Sequence, residues 1–413
     1  LDEIRISNTA RTSFNSTPYA SDPQGVTLAA AVRKSGVKDW ESFSSNETLN
    51  GGAITFRLSD NEGTSWKYWN GSTWAASTST ANANTASVIS AHISTFSVTF
   101  SGLVWQAILD GDGSQQVALN SVQLAANSDF NAPETNAADI VALKANGGAV
   151  LNSNDWTNGG PPYFSWTAGT DGGAGMLGYC VYLGQTSSAD PTTTKGLLGT
   201  NQLDTANACP FAIAGTSLDL ATSGLLGTAL TTSNTPYYLN VRAIDKAGNI
   251  AGSSAQFQFR FDNTAPTNPG YLSAPSGFIN TKTATITWPT SGGDAASDAN
   301  SGLAGLQYRI GATSWYGDSH TGAGDINDLL TNDGSYTTVD PPDFDNISDG
   351  INTVFVRTWD EAGNYTTSYV SAVLRVNTNG APSEPQNLTA TPSTNTSNSF
   401  AFSWDAPGIF NTT

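Results

Sequence analysis

Asn240-Val241-Arg242-Ala243-Ile244-Asp245-Lys246-Ala247-Gly248-Asn249 returns as Phe355-Val356-Arg357-Thr358-Trp359-Asp360-Glu361-Ala362-Gly363-Asn364, a spacing of 115 from Arg242 to Arg357. Each copy reads as an alternating strand that runs into an Asp-x-Ala-Gly-Asn turn. Gly supplies the positive φ of a tight hairpin, and the flanking Asp and Asn can bond the turn backbone. A period near 115 residues is too long for a solenoid repeat and suits a β-sandwich of about 100 residues. The copies therefore predict sandwich domains in series.

Bulk properties fit that reading. The chain has 413 residues, which predicts two to four domains. Its net charge is −18, yet only 12% of residues are charged; polarity comes mainly from Ser, Thr, Asn and Gly. Such a composition suits short strands joined by Gly/Asn turns and disfavours helical bundles. A pI near 4.2 disfavours nucleic acid as a partner, because the phosphate backbone would be repelled. The acidity fits bound divalent cations, or simply solubility. No run of about 18 apolar residues exists, so no membrane-spanning helix is predicted in this segment. The chain opens on Leu1 rather than Met and reads as part of a longer or processed polypeptide.

Linkers punctuate the chain. Asp129-Phe130-Asn131-Ala132-Pro133 recurs as Asp262-Asn263-Thr264-Ala265-Pro266 and, more loosely, as Thr378-Asn379-Gly380-Ala381-Pro382. Proline fixes φ and removes a donor, so it ends one sandwich and stiffens the join to the next. Between the linkers, Phe164-Ser165-Trp166 aligns with Ile286-Thr287-Trp288 as a strand with an inward Trp. The loops opening at Asp171 and Asp298 align next, followed by the strands Tyr179–Gly184 and Leu306–Gly311.

These residues resemble fibronectin type III and related bacterial Ig-like domains, whose second strand carries a Trp and whose F–G hairpin carries the Asp-x-Ala-Gly-Asn turn. The resemblance implies sandwich folds for 129–262 and 263–378, and Ala381–Ala390 with Phe402–Pro407 look like the opening strands of a partial third, 379–413. Leu1-Asp2-Glu3-Ile4-Arg5-Ile6 with Asn8-Thr9-Ala10-Arg11-Thr12 resembles the closing strand of a laminin-G/concanavalin-like lectin sandwich, which assigns 1–16 to the end of such a domain. Flanking sequence, or strands supplied by a neighbouring copy, would complete both ragged ends.

Residues 17–128 read as a jelly-roll-like sandwich, similar to secreted bacterial carbohydrate-binding modules. Ser59–Trp66 resembles the Asp-box hairpin of secreted β proteins, a turn device. Asn70-Gly71 predicts a type I′ turn that pairs Trp69 with Ser72 and Lys67 with Trp74, placing Lys67, Trp69 and Trp74 on one face. Trp69 and Trp74 are the candidate carbohydrate-binding residues. A short helix is expected within 84–95.

Catalysis has little to work with: His92 and His320 fall in different predicted domains, so no Ser-His-Asp set can assemble in one. Cys180 and Cys209 are the two cysteines and are expected to form a disulfide in an extracellular setting. Calcium is the sharpest site expectation. In a fibronectin-like sandwich the B–C loop, the F–G loop and the incoming linker meet at one pole. That gathers Asp129, Asp171 and Asp245 in one domain, and Asp262, Asp298 and Asp360 in the next. Clustered carboxylates with backbone carbonyls suit calcium, which takes six to eight oxygens. The plainer alternative is that each Asp only caps its own turn.

The whole reads as an all-β chain of serial β-sandwiches: one jelly-roll-like, two complete fibronectin-like, and partial domains at both ends. It is expected to be a non-catalytic, structural or adhesive segment of an extracellular cell-surface protein, a stalk, surface layer or appendage subunit. Neighbouring copies or other surface proteins would be its partners. The alternative is the carbohydrate-binding accessory region of a secreted polysaccharide-degrading enzyme, with glycans as partners.

Overall fold

The computed structural model describes residues 24–27, 36–99, 102–111, 115–203, 205, 208–317, 330–338, 343–380, 384–391 and 401–405. The lectin-like strand Leu1–Thr12 and His320 lie outside them. The described chain is all-β: antiparallel ladders dominate, and the helices are short, Ala86–His92 and the single turn Asp343–Asn346. No helix among the described residues is long and apolar enough to cross a membrane. The chain divides into two compact units, the first made of 1–150, 161–229 and 237–258, the second of 151–160, 230–236 and 259–413.

The first unit opens with a five-stranded sheet in the order Gln24–Thr27, Val104–Asp110, Ala53–Ser59, Lys67–Trp69, Trp74–Ala76. Alternation along Ala53–Ser59 sends Ile54, Phe56 and Leu58 inward. Opposite them, Val37–Thr48 pairs with Ala118–Ser128 and buries Val37, Trp40 and Phe43, three residues apart rather than two. Register shifts at Val37/Asp39 and Trp40/Ser42 account for that spacing, since a bulge inserts one residue and resets which side chain faces in. The predicted helix forms at Ala86–His92, with Thr85 Oγ1 accepting the N–H of Val88 at 3.4 Å as its N-cap. Its Ile89 completes the core with Ile93 just beyond it.

The hairpin register differs from expectation. Trp69 pairs with Trp74 and Lys67 with Ala76, not Trp69 with Ser72 and Lys67 with Trp74. The cause is local. Asn70 Oδ1 accepts the N–H groups of Ser72 and Thr73 at 3.0 and 2.9 Å, while Asn70 N–H donates to Thr73 O. Asn70 therefore closes the turn instead of sitting inside it, and Gly71, at φ 100°, takes the left-handed corner. The Ser59–Trp66 loop is held as a turn, with Asn61 Oδ1 accepting Ser65 N–H and Ser59 Oγ accepting Gly63 N–H.

Further along the first unit, Tyr163–Thr167 pairs with Ala138–Leu143 on one side and Ser217–Asp219 on the other. A second ladder joins Met176–Gly184 to Ser233–Asp245 and to Ala212–Ile213. Trp166 is buried, packed edge-to-face on Tyr179 at 5.4 Å. In the second unit, Gly350–Asp360 pairs with Leu303–Ile310 and with Val370–Val376, and Trp288 is buried with Leu306, Tyr308 and Val356. Both Trp side chains are buried as expected, Trp166 within its strand and Trp288 directly after Thr285–Thr287. A shared bulge supports the alignment of the two copies: the pairing slips between Met176 and Gly178 and again between Leu303 and Gly305, just ahead of Asp245 and Asp360. A short parallel pair also repeats, Trp156–Thr157 with Arg260–Phe261 and Phe278–Ile279 with Arg375–Val376.

Candidate metal centres

The Asp-x-Ala-Gly-Asn turns are built alike. Asp245 N–H donates to Asn249 O at 3.1 Å and Gly248 N–H to Asp245 O at 3.2 Å; Asp360 and Gly363 repeat these bonds at 3.0 and 3.2 Å. Gly248 and Gly363 hold φ of 90° and 94°, where a side chain would strain the backbone. Each Asp then accepts from its own Asn twice. Asp245 takes the N–H and Nδ2 of Asn249, both at 2.8 Å, and Asp360 those of Asn364 at 2.7 and 2.8 Å. The same amide reaches across to the linker: Asn249 Nδ2 also donates to Asp129 O, and Asn364 Nδ2 to Asp262 O.

This arrangement brings together the residues expected from the sequence. Asp129, Asp171 and Asp245 each offer a carboxylate oxygen, all within 4.8 Å of one another, and Asp262, Asp298 and Asp360 do the same. A calcium ion bonds oxygens at about 2.3–2.6 Å, so two ligands on opposite sides of it stand about 5 Å apart at most. Both triads meet that spacing. In each, the linker Asp and the turn Asp are buried and the B–C loop Asp is half-buried.

The hydrogen bonds leave a repeated opening. Asp171 Oδ2 accepts Gly175 N–H at 2.5 Å, while its Oδ1 is buried without a hydrogen bond. All three bonds to Asp298, from Asn300 N–H, Gly302 N–H and Ser301 Oγ, fall on Oδ2. The linker carboxylates differ. Asp129 Oδ2 accepts Ala174 N–H at 2.6 Å, whereas Asp262 Oδ2 takes both the N–H and the hydroxyl of Ser301. Electrostatics splits each set. Burial pushes the Asp245 carboxyl above its ordinary range, opposed by Asn249 and reinforced by the charges of Asp171 and Asp129. Burial does the same for Asp360, with Asp262 and Asp298 adding to it. The Asn131 N–H holds Asp129 below the usual range against its desolvation, helped by Ala174 N–H and Lys38.

Each triad borders residues that precede its linker. Asp129 N–H donates to Gly36 O at 2.7 Å and Gly36 N–H to Ala247 O in the F–G turn. Gly36 holds φ of 74°, and a Cβ there would stand 2.9 Å from the Asp129 carbonyl oxygen, so the approach favours glycine. In the second unit Asp262 N–H donates to Thr157 O, and Asn234 Nδ2 to Ala299 O.

The remaining sequence candidates lie apart from these centres. Cys180 and Cys209 are placed as a disulfide pair, Cα atoms 5.5 Å apart. Trp69 and Trp74 share a face but stand at 69° to each other. His92 stacks on Trp69 at 4.0 Å, and the edge of Phe96 and a Thr95 hydrogen bond engage Trp74. The two indoles thus form no coplanar platform. The bridging role of Asn249 and Asn364 and the Ser301 contact escaped the sequence reading, although Asn at the end of both turns was its trace.

No protein-family model matches the sequence, and no curated protein matches it. Among solved structures, the chain is similar to the fibronectin(III)-like modules of Clostridium thermocellum CbhA, at 12% identity and a TM-score of 0.27, covering 55% of this chain and 91% of that one. It is similar to the central fibronectin-III array of RIM-binding protein, at 13% identity and a TM-score of 0.18, covering 67% and 80%. A Ca2+-stabilized adhesin that helps an Antarctic bacterium reach out and bind ice is similar at 13% identity and a TM-score of 0.30, covering 85% and 71%. These likenesses are loose ones of fold, and the chain's own ladders make it an all-β protein of β-sandwich modules.

Proposed function

We propose that this chain is a non-catalytic segment of an extracellular surface protein, structural or adhesive, in which calcium at two aspartate triads clamps each linker to the sandwich that follows it. The doubled triad carries the reading. Three elements distant in sequence converge twice, and each time they leave the B–C loop carboxylate an oxygen free of hydrogen bonds. Turn capping alone requires no convergence, and it leaves buried like charges facing one another. A cation would replace that repulsion with attraction and tie linker, B–C loop and F–G turn into one body. The placement of Cys180 against Cys209 supports an oxidising, extracellular setting. Small-angle scattering in excess calcium and in chelator tests the clamp. Chelation is expected to broaden the distribution of interatomic distances as linkers loosen; superimposable curves would remove the mechanical role.

A further inference from the structure

One outer sheet face in the second unit carries chemistry that the clamp does not use. On Leu303–Ile310 and Gly350–Asp360, the side chains turned away from the core include Arg309, Phe355, Arg357 and Trp359. Trp315, Tyr365 and Tyr369 close over them. The Arg357 guanidinium lies 4.1 Å from the Tyr365 ring and 4.4 Å from Trp315, and Arg309 lies 4.7 Å from Phe355 and 4.9 Å from Trp315. Trp359 stacks on Tyr365 at 4.6 Å. Arg357 Nε donates to the buried Gln307 Oε1 at 2.6 Å, and stacking between rings fixes each guanidinium plane, so only the outer N–H groups are left as the recognition surface.

Two observations make this face more than an internal brace. Among the described residues, neither arginine forms an ion pair, in a chain with 34 acidic residues against 16 basic ones. Arg309 Nε and Trp359 Nε1 are buried without acceptors. Tyr369, against Phe355 and Trp315, is 49% exposed, and the same face continues along the strands to Val373 at 40% and, opposite Arg375, Ile351 at 67%. Arg, Trp and Tyr at the centre with exposed apolar neighbours is the composition of a protein-binding surface.

We infer that this arginine–aromatic face docks an acidic surface of a second copy of the same chain. The chain's own acid excess supplies the complementary charge. Long-range repulsion between two chains of charge −18 is screened beyond about 8 Å at physiological salt, whereas guanidinium–carboxylate contacts at the face persist there. One face meeting a different surface is a heterologous contact, which builds rings or open rows rather than a two-fold dimer.

Ile351 provides the test, because at 67% exposure it can be replaced without touching the core. Sedimentation velocity is run at physiological salt, once with calcium and once with chelator, so that failure of the calcium reading leaves this result interpretable. Mass-average size is expected to rise with concentration for the parent chain. Ile351→Glu should weaken association at least tenfold and Ile351→Lys should preserve or strengthen it; association should also pass through a maximum as salt rises. A chain that stays monomeric up to about 1 mM overturns the proposal, as does equal weakening by Glu and Lys, which marks a purely apolar contact. Retention of the monomeric chain on polygalacturonate, lost in Ile351→Glu, would assign the face to an acidic glycan and overturn it too.

Discussion

Replacing Asp171 with Asn separates a cation ligand from a turn cap. The isosteric amide keeps the cap, since its Oδ1 can accept Gly175 N–H as Asp171 Oδ2 does at 2.5 Å. What changes is the other side-chain atom. The buried oxygen that now lacks a hydrogen bond becomes an N–H donor facing Asp129 and Asp245. Without calcium, one like charge is gone and a donor to carboxylate is gained, which stabilises the domain by about 1–2 kcal/mol. At roughly 4 °C per kcal/mol for a domain of this size, its melting temperature in chelator should rise by several degrees. With calcium the order reverses. Extracellular modules bind calcium with Kd of about 0.1–1 mM. At a free concentration of about ten times Kd, RT ln(1 + [L]/Kd) stabilises the parent domain by about 1.4 kcal/mol. Asp171→Asn forfeits that gain. Differential scanning calorimetry in calcium and in chelator reads both arms. If the substitution shifted the melting temperature by the same amount in the two buffers, Asp171 would be a turn cap and nothing more.

The same carboxylates set a pH dependence. Asp245 and Asp360 are raised in the folded state, so in chelator they favour folding when protonated, and that contribution is lost as pH rises through their folded pKa values. Asp129 is lowered, so its contribution is present above the ordinary carboxylate range and lost below it. A chelated sample should therefore gain stability as pH falls from neutral toward the carboxylate range, whereas a calcium-loaded one should lose it as protons displace the ion; parallel melting profiles would contradict the coupling. Trp166→Ala and Trp288→Ala should each cost about 3–5 kcal/mol in denaturant unfolding. Phe should be tolerated better at 166, where the indole N–H has no acceptor, than at 288, where it donates to Asn332 Oδ1 at 3.1 Å; the reverse order would mean the two sites are not as described. Cys180 and Cys209 should appear as one cross-linked peptide pair in unreduced digests. For a separation of 29 residues the link contributes about 3.5 kcal/mol in the chain-entropy account, and two alkylatable thiols would refute it.

Much of the architecture was legible because it repeats. The doubled Asp-x-Ala-Gly-Asn turn, the Trp strands and the Asp-bearing linkers each signal a local conformation, and three such signals sufficed to bring the aspartates together. What the sequence concealed depends on register. A period-two reading cannot anticipate Val37, Trp40 and Phe43 facing inward at intervals of three, because bulges leave no fixed residue signature. At Asn70, the side-chain bonds that shift the hairpin compete with a turn that the Asn-Gly pair would also permit. The arginine–aromatic face was hidden for a different reason. Trp315, Arg357 and Tyr369 come from separate segments, and the pairing of Gly350–Asp360 with Leu303–Ile310 and with Val370–Val376 makes them neighbours.

Equilibrium dialysis of the chelator-stripped chain against calcium tests the central claim most directly. Two calcium ions per chain are expected, one in either Asp171→Asn or Asp298→Asn, and none at these centres in the double variant. A parent chain that binds no calcium, or a double variant that binds as much as the parent, would contradict the assignment of both triads.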